Sequence, residues 1–255
     1  PILPPKHITG ATPVVATFDA SSAPRLGLLQ ERAEHAQVLM AVDHHTSYTG
    51  FGTEHLVDVT SPATAMLALQ IVDHLAVPLD SDIATCIYTG LITDTGSFRY
   101  RATTPYVHEV AARLMAAGIE HDAIARQIYD TAPFGYVQVL GAALDRAVLE
   151  AAEVGGRGLV WTTVPLADRQ AAGLGIDSVE AVIDSVRVVE EAEVAVVLKE
   201  HEDGTWRVSM RSRGNIDVAA ACINLGGGGH RFAAGYTASG AVEAVMQQIR
   251  AALAN

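Results

Sequence analysis

The sequence predicts an α/β protein: a parallel-sheet N-terminal domain joined by a helix to a smaller α/β C-terminal domain. Two observations carry this. Apolar runs at 14–18 and 38–42 flank a helix-length segment at 26–36, the strand–helix–strand order of a parallel sheet. After Gly155-Gly156 the pattern restarts, with strand-like runs at 159–164, 192–199 and 206–210 set among helical segments at 178–189, 218–224 and 242–253. A chain of 255 residues, 49% of them hydrophobic, can bury a core in each half.

Taken in order, residues 1–13 are proline-rich and read as a connection. The strand at 14–18 stops at Asp19, and the polar stretch 19–25 turns into the helix at 26–36. The strand at 38–42 runs into Asp43-His44-His45-Thr46, and a short strand is expected at 54–57. Ser61-Pro62 opens a helix to about Ala76, with a capping hydroxyl and a proline in the first turn. A second helix begins near Asp82 and ends around Thr93-Asp94-Thr95-Gly96. Thr104-Pro105 repeats the capping signal for a helix to Ala117, stopped by Gly118. Helical segments at 121–129 and 134–150 follow, the latter expected to link the domains. In the second half the helix at 218–224 leads directly into Gly226-Gly227-Gly228-Gly229-His230-Arg231.

Composition narrows the function. A net charge of −12 argues against wrapping duplex DNA, because such binders displace counterions with basic surfaces; a short phosphorylated ligand is still compatible. No apolar run reaches the roughly 20 residues of a membrane span, so no membrane partner and a cytoplasmic location are expected. Cys86 and Cys222 lie in apolar helical patterns and are expected to be buried free thiols in a reducing compartment. The chain begins with Pro1, which reflects either processing or a sequence that starts partway through a gene product.

The chemistry is expected where strands and helices end. Asp19, Asp43, His44, His45 and Asp94 each stand where an apolar run stops. Singly, each has an ordinary reading: Asp19 a helix cap, Asp94 a turn residue, the histidines solvated loop. Together they offer hard oxygen and borderline nitrogen donors at one rim of a sheet, a set suited to divalent cations. Two such ions acidify a water and neutralise phosphate charge, which makes phosphate-ester hydrolysis the natural reaction. The glycine run reads either as a flexible turn or as backbone that approaches an anion closely, with His230 and Arg231 adding positive charge. Arg211 and Arg213 could add forked donors to the same phosphate. The remaining histidines are read as surface or packing residues, and Glu190, Glu191 and Glu193 as a solvated face.

These residues resemble a known family. Asp43-His44-His45, Asp19 followed by Arg25-Leu26-Gly27, the stretch Thr93-Asp94-Thr95-Gly96-Ser97-Phe98-Arg99 and the C-terminal Gly226-Gly227-Gly228-Gly229-His230 together resemble the DHH phosphoesterases with a DHH-associated C-terminal domain. The likeness is strongest to the bacterial nano-RNase and pAp phosphatase group and covers nearly all of the chain. It implies a two-manganese enzyme, with magnesium or cobalt as substitutes, acting on very short RNA or small adenine nucleotides: oligoribonucleotides, 3'-phosphoadenosine 5'-phosphate, and in some members cyclic or linear di-AMP. It further implies that Asp19 bridges the metals, that His44 and Asp94 ligate one of them, and that His45 sits beside the phosphate with Asp43 supporting the histidines. Arg211, Gly227, Gly228, Gly229, His230 and Arg231 would hold the substrate's far end, with the active site in a cleft between domains. The implied division is a catalytic domain over 1–132, a linker helix over 133–154 and a substrate-binding domain over 155–255. A homodimer is compatible with the family.

One part of the pattern is absent. The family opens with an Asp-His and two spaced aspartates on its first strand, whereas residues 1–18 contain no acid and only His7. A fragment lacking that strand is the favoured expectation, and exposed apolar surface with poor stability is expected to follow. The alternatives are a remnant that binds nucleotide without cleaving it, and a manganese pyrophosphatase; the glycine-histidine loop disfavours the latter. A RecJ-like exonuclease is disfavoured by a short, acidic chain poor in the aromatics that stack bases.

Overall fold

The computed structural model describes residues 3–8 and 12–254; part of the proline-rich opening lies outside them. The chain forms two compact units, Pro1–Thr131 and Ala132–Asn255. Among the described residues no helix is long and apolar enough to cross a membrane.

In the first unit, β1 (Val14–Phe18), β2 (Val38–Asp43) and β3 (Glu54–Val57) form a parallel sheet in the order β1-β2-β3. Val14 pairs with Val38 and Phe18 with Val42, so Asp19 and Asp43 leave the sheet side by side at the carboxyl ends, where ligands bind in open α/β sheets. The expected helix at 26–36 is split: its start belongs to a 3-10 segment, Ala23–Leu29, that Gly27 breaks at φ 54°, and its remainder is the short α1 (Gln30–Glu34). β1 is an edge strand, and Val14 and Phe18 are 59% and 50% exposed.

The helices α2 (Thr64–His74), α3 (Ser81–Asp94), α4 (Pro105–Ala116) and α5 (His121–Tyr129) complete the unit. Met66 and Leu69 of α2, Ile87, Tyr88 and Leu91 of α3, and Val107, Val110 and Leu114 of α4 share one core. Asp80 caps α3 by accepting from the Ile83 amide. α2 starts later than Ser61-Pro62 suggests, with Ala63 at its cap. Cys86 is exposed, correcting its expected burial: it borders an open cavity beside Phe18, Ala65 and Ile87.

In the second unit a six-stranded mixed sheet runs β4-β5-β6-β7-β9-β8. Its strands are β4 (Val148–Glu150), β5 (Leu159–Val164), β6 (Val194–Glu200), β7 (Trp206–Ser212), β8 (Gly228–His230) and β9 (Ala233–Ala238). The sheet is thus larger than that of the first unit. The helix expected over 134–150 ends at Asp145 as α6 (Phe134–Asp145), and its remainder becomes β4. α6 is more than a connection: Val139 and Ala143 pack into this unit's core. An irregular turn, α7 (Glu153–Gly156), and the short α8 (Leu166–Ala171) lead on to α9 (Val182–Val186). α10 (Val218–Asn224) and α11 (Val242–Leu253) match the expected ranges.

Alternation along the strands divides the two faces of this sheet. Val194, Val196, Leu198, Val208, Met210, Ala234 and Tyr236 pack against Val218 and Cys222 of α10 and Val245, Met246 and Ile249 of α11. Cys222 is fully buried there, and burial pushes its thiol up to about 12, leaving it inert as a nucleophile. On the other face α6 and α9 cover Val160, Ala195 and Val197.

Candidate metal and nucleotide site

Asp19 takes a left-handed backbone at φ 62°, unusual for a residue with a side chain. Its amide donates to the Val42 carbonyl at 3.0 Å, tying the turn to β2. The Thr64 hydroxyl, at the start of α2, donates to Asp19 Oδ1 at 2.8 Å. The carboxylate is therefore aimed by two elements beyond its own strand.

His44 and His45 follow β2 and are buried. His44 Nδ1 lies 3.0 Å from the Ser61 carbonyl; a carbonyl only accepts, so Nδ1 carries the hydrogen and Nε2 keeps its lone pair. That Nε2 stands 3.6 Å from Asp19 Oδ1 and 3.5 Å from Asp94 Oδ2. His45 Nδ1 donates to Asp43 Oδ1 at 2.7 Å, and Asp43 is almost fully buried. The two imidazole rings meet edge to face, 5.0 Å between centroids.

This geometry fits a divalent cation. Donor atoms of Asp19, His44 and Asp94 lie within 4.8 Å of one another, as do those of Asp19, Asp43 and His45. Two donors each about 2.1 Å from one ion stand roughly 3.0–3.5 Å apart, close to the spacing around His44 Nε2. Asp43 Oδ2 is buried with no hydrogen-bond partner, a state that an adjacent cation relieves. Asp94 is held up to about 6, first by burial and then by the negative charge of Asp19, with His44 and His45 pulling the other way. Beside these carboxylates opens a cavity of about 260 Å³ lined by Phe18, Asp19, Ala68, Cys86, Ile87 and Asp94.

The second group of expected residues lies in the second unit. Arg211 of β7 pairs with Ala233 of β9, and Ala233 pairs with His230 of β8. Directly opposed residues point to the same face, so Arg211, Ala233 and His230 form one row, with a small residue between the two basic ones. Ser209, Gly235 and Gly228 form the next row on that face. Arg231 projects outward, 68% exposed, 3.7 Å from Asp217 and over the Phe232 ring.

The glycines have a structural use that the sequence did not disclose. A Cβ on Gly227 would stand 2.2 Å from the Gly235 carbonyl and 2.4 Å from Tyr236 Cβ; one on Gly229 would stand 2.6 Å from the Ala233 carbonyl. These two are required for backbone to pass against backbone. The second half of the run, Gly228-Gly229, is thus part of strand β8, and it brings His230 into the row with Arg211. Thr64 and Ser61 aim Asp19 and His44; of the two only Ser61 stands out in the sequence, and there as helix-start chemistry.

Comparison with known proteins follows the same outline. Residues 169–255 match the DHHA1 domain family. The chain is 36% identical over 214 residues to the bifunctional oligoribonuclease and PAP phosphatase NrnA of Thermus thermophilus, covering 82% of this chain and 63% of that protein. It is 25% identical to the probable bifunctional oligoribonuclease and PAP phosphatase NrnA of Streptococcus mutans, over 87% of this chain and 69% of the relative. An exopolyphosphatase-related protein from Bacteroides fragilis shares the fold with a TM-score of 0.82 at 20% identity, covering 94% of this chain and 71% of that one.

Proposed function

We propose that the chain is a DHH phosphoesterase that hydrolyses phosphate esters of short oligoribonucleotides and of 3'-phosphoadenosine 5'-phosphate, with manganese as cofactor; the DHHA1 match over residues 169–255 and the 36% identity to the Thermus protein support this reading. The observation that carries this reading is the convergence of Asp19, His44 and Asp94 donors around one point. Cyclic or linear di-AMP presents the same phosphate and adenine groups and belongs to the same proposed substrate class.

In this reading Asp19, His44 and Asp94 would hold one ion, and Asp19 would also serve a second. When bound, such ions lower the pKa of a water and neutralise charge on the phosphate. The chain's own residues do the rest. The Ser61 carbonyl keeps His44 in the tautomer that ligates through Nε2, and Thr64 fixes one oxygen of Asp19. Asp43 orients His45 through Nδ1, which directs the opposite edge of that ring to where a phosphate oxygen would lie. Within the second unit, Arg211 and His230, with the small Ala233 between them, would offer donors to a nucleotide.

The chain spans 63% of the length of the Thermus relative, so activity is proposed and not carried over. A second reading, nucleotide binding without cleavage, is favoured by one observation: among the described residues of the first unit the two donor clusters, Asp19–His44–Asp94 and Asp19–Asp43–His45, share Asp19 and so do not make two independent ion sites. Assaying phosphate release from 3'-phosphoadenosine 5'-phosphate and from pyrophosphate, with AMP binding measured in parallel, separates the readings. Phosphate from the nucleotide alone supports hydrolysis. Binding without release supports the silent module, and release from pyrophosphate alone supports a pyrophosphatase.

A further inference from the structure

Glu193 stands where the sequence suggests a solvated acidic face, yet it is only 8% exposed. Gly158, at φ 85°, allows this: a Cβ there would stand 1.9 Å from the Glu191 carbonyl, so the chain before β6 presses directly on the start of β5. The Glu193 carboxylate is then turned toward the segment that follows β7. Glu193 Oε1 accepts from the Ser212 hydroxyl and the Asn215 amide, and Oε2 from Asn215 Nδ2, each at 2.8 Å. The backbone joins in, with the Arg213 amide donating to the Glu193 carbonyl at 3.0 Å. Ser212 Oγ in turn accepts from the amides of Gly214 and Ile216, each at 3.2 Å.

The segment held this way begins at Arg211 and ends at Asp217, which caps α10 by accepting from the Ala220 amide. It is also stitched to the turn between β8 and β9: the Ser212 amide donates to the Phe232 carbonyl at 3.0 Å, and the Val218 amide to the Arg231 carbonyl at 2.9 Å. One carboxylate thus anchors a loop that touches both sources of the basic row, Arg211 on one side and the residues beside His230 on the other.

We propose that Glu193 is a positioning residue that sets the spacing of Arg211 and His230 for an adenine nucleotide, acting through Ser212 and Asn215. The nucleotide half of this inference rests on the proposed function; the loop half does not. Burial by itself would raise the Glu193 carboxyl, and the bonds from Asn215, Ser212 and Gly214 outweigh it to hold the group below its ordinary range, consistent with a carboxylate ionised in place.

The test uses the full chain and two readouts, the Kd for AMP by calorimetry and amide exchange at residues 214–216. Glu193→Ala should weaken AMP binding about tenfold or more and speed exchange at 214–216. Glu193→Gln, which keeps an acceptor for Ser212 and the Asn215 amide, should lie much closer to the unaltered chain. Glu150→Ala removes another largely buried carboxylate, on strand β4 with β5 and β6 between it and β7, bonded to Arg250 and Trp161, and should lower thermal stability while leaving AMP affinity and loop exchange unchanged. Equal loss of affinity in Glu193→Ala and Glu150→Ala overturns the inference, as does unchanged affinity in Glu193→Ala. Should the unaltered chain bind no AMP, the nucleotide reading falls and exchange alone judges Glu193: protection kept in Glu193→Ala overturns its role, and protection lost supports it.

Discussion

Asp19 shows how a single side chain is made useful by its neighbours. Its left-handed backbone, its amide bond to Val42 and the Thr64 hydroxyl each remove a freedom that a strand-end aspartate would keep. Substituting Thr64 by Val keeps the shape and deletes the hydrogen bond, so manganese affinity should fall about tenfold or more while the fold persists. Titration of manganese by electron paramagnetic resonance reads this directly, and an unchanged affinity would mean that Thr64 does not orient Asp19. Glu150 carries a different kind of consequence. The Arg250 hydrogen bond, against burial and with help from Trp161, holds its carboxyl below the usual 4.5. A depressed folded pKa contributes stability above the unfolded value and loses it as pH falls. Thermal stability of the unaltered chain should therefore drop as pH goes below about 4.5, and Glu150→Gln should flatten that slope; parallel curves for the two proteins would refute the assignment.

Strand β8 and its crossing with β9 are where reading the sequence failed most. A run of glycines followed by Ala233-Ala234-Gly235 has neither the β-branched residues nor the alternation that mark strands, and only the close approach of two backbones explains it. Gly227→Ala should destabilise the chain by roughly 2 kcal/mol or more, since its Cβ would meet backbone atoms that cannot rotate away. Gly226→Ala differs: it meets no steric obstacle but must hold φ 86°, at a cost of about 1 kcal/mol. Chemical denaturation of the pair checks the order, and a Gly226 variant worse than the Gly227 variant would contradict the packing account. Other elements were legible for equally physical reasons. β5 has the length and apolar character of a buried strand, and Asp19, His44 and Asp94 were visible because each ends an apolar run. Glu193 and Cys86 were misread because burial there depends on distant segments: Gly158 folds the chain over the first, and the second borders an open cavity.

The molecule holds separate cores, one among α2, α3 and α4 and two on the faces of the six-stranded sheet. The first unit has a three-stranded sheet whose edge strand leaves Val14 and Phe18 half exposed, whereas six strands with helices on both faces support the second. Unfolding in urea should accordingly be non-coincident. Trp161 and Trp206 both lie in the second unit, so the circular dichroism signal should begin to fall at lower urea than tryptophan fluorescence; superimposable curves would show one cooperative unit instead. The central claim is that the Asp19, His44 and Asp94 cluster makes this chain a cation-dependent nucleotide hydrolase. It is tested most directly by measuring AMP release from a diadenosine ribonucleotide across a manganese titration, with His44→Ala alongside. Release should saturate with manganese and fall about a hundredfold in His44→Ala; no release from the folded chain at saturating manganese, or release indifferent to His44, would contradict this role for the cluster.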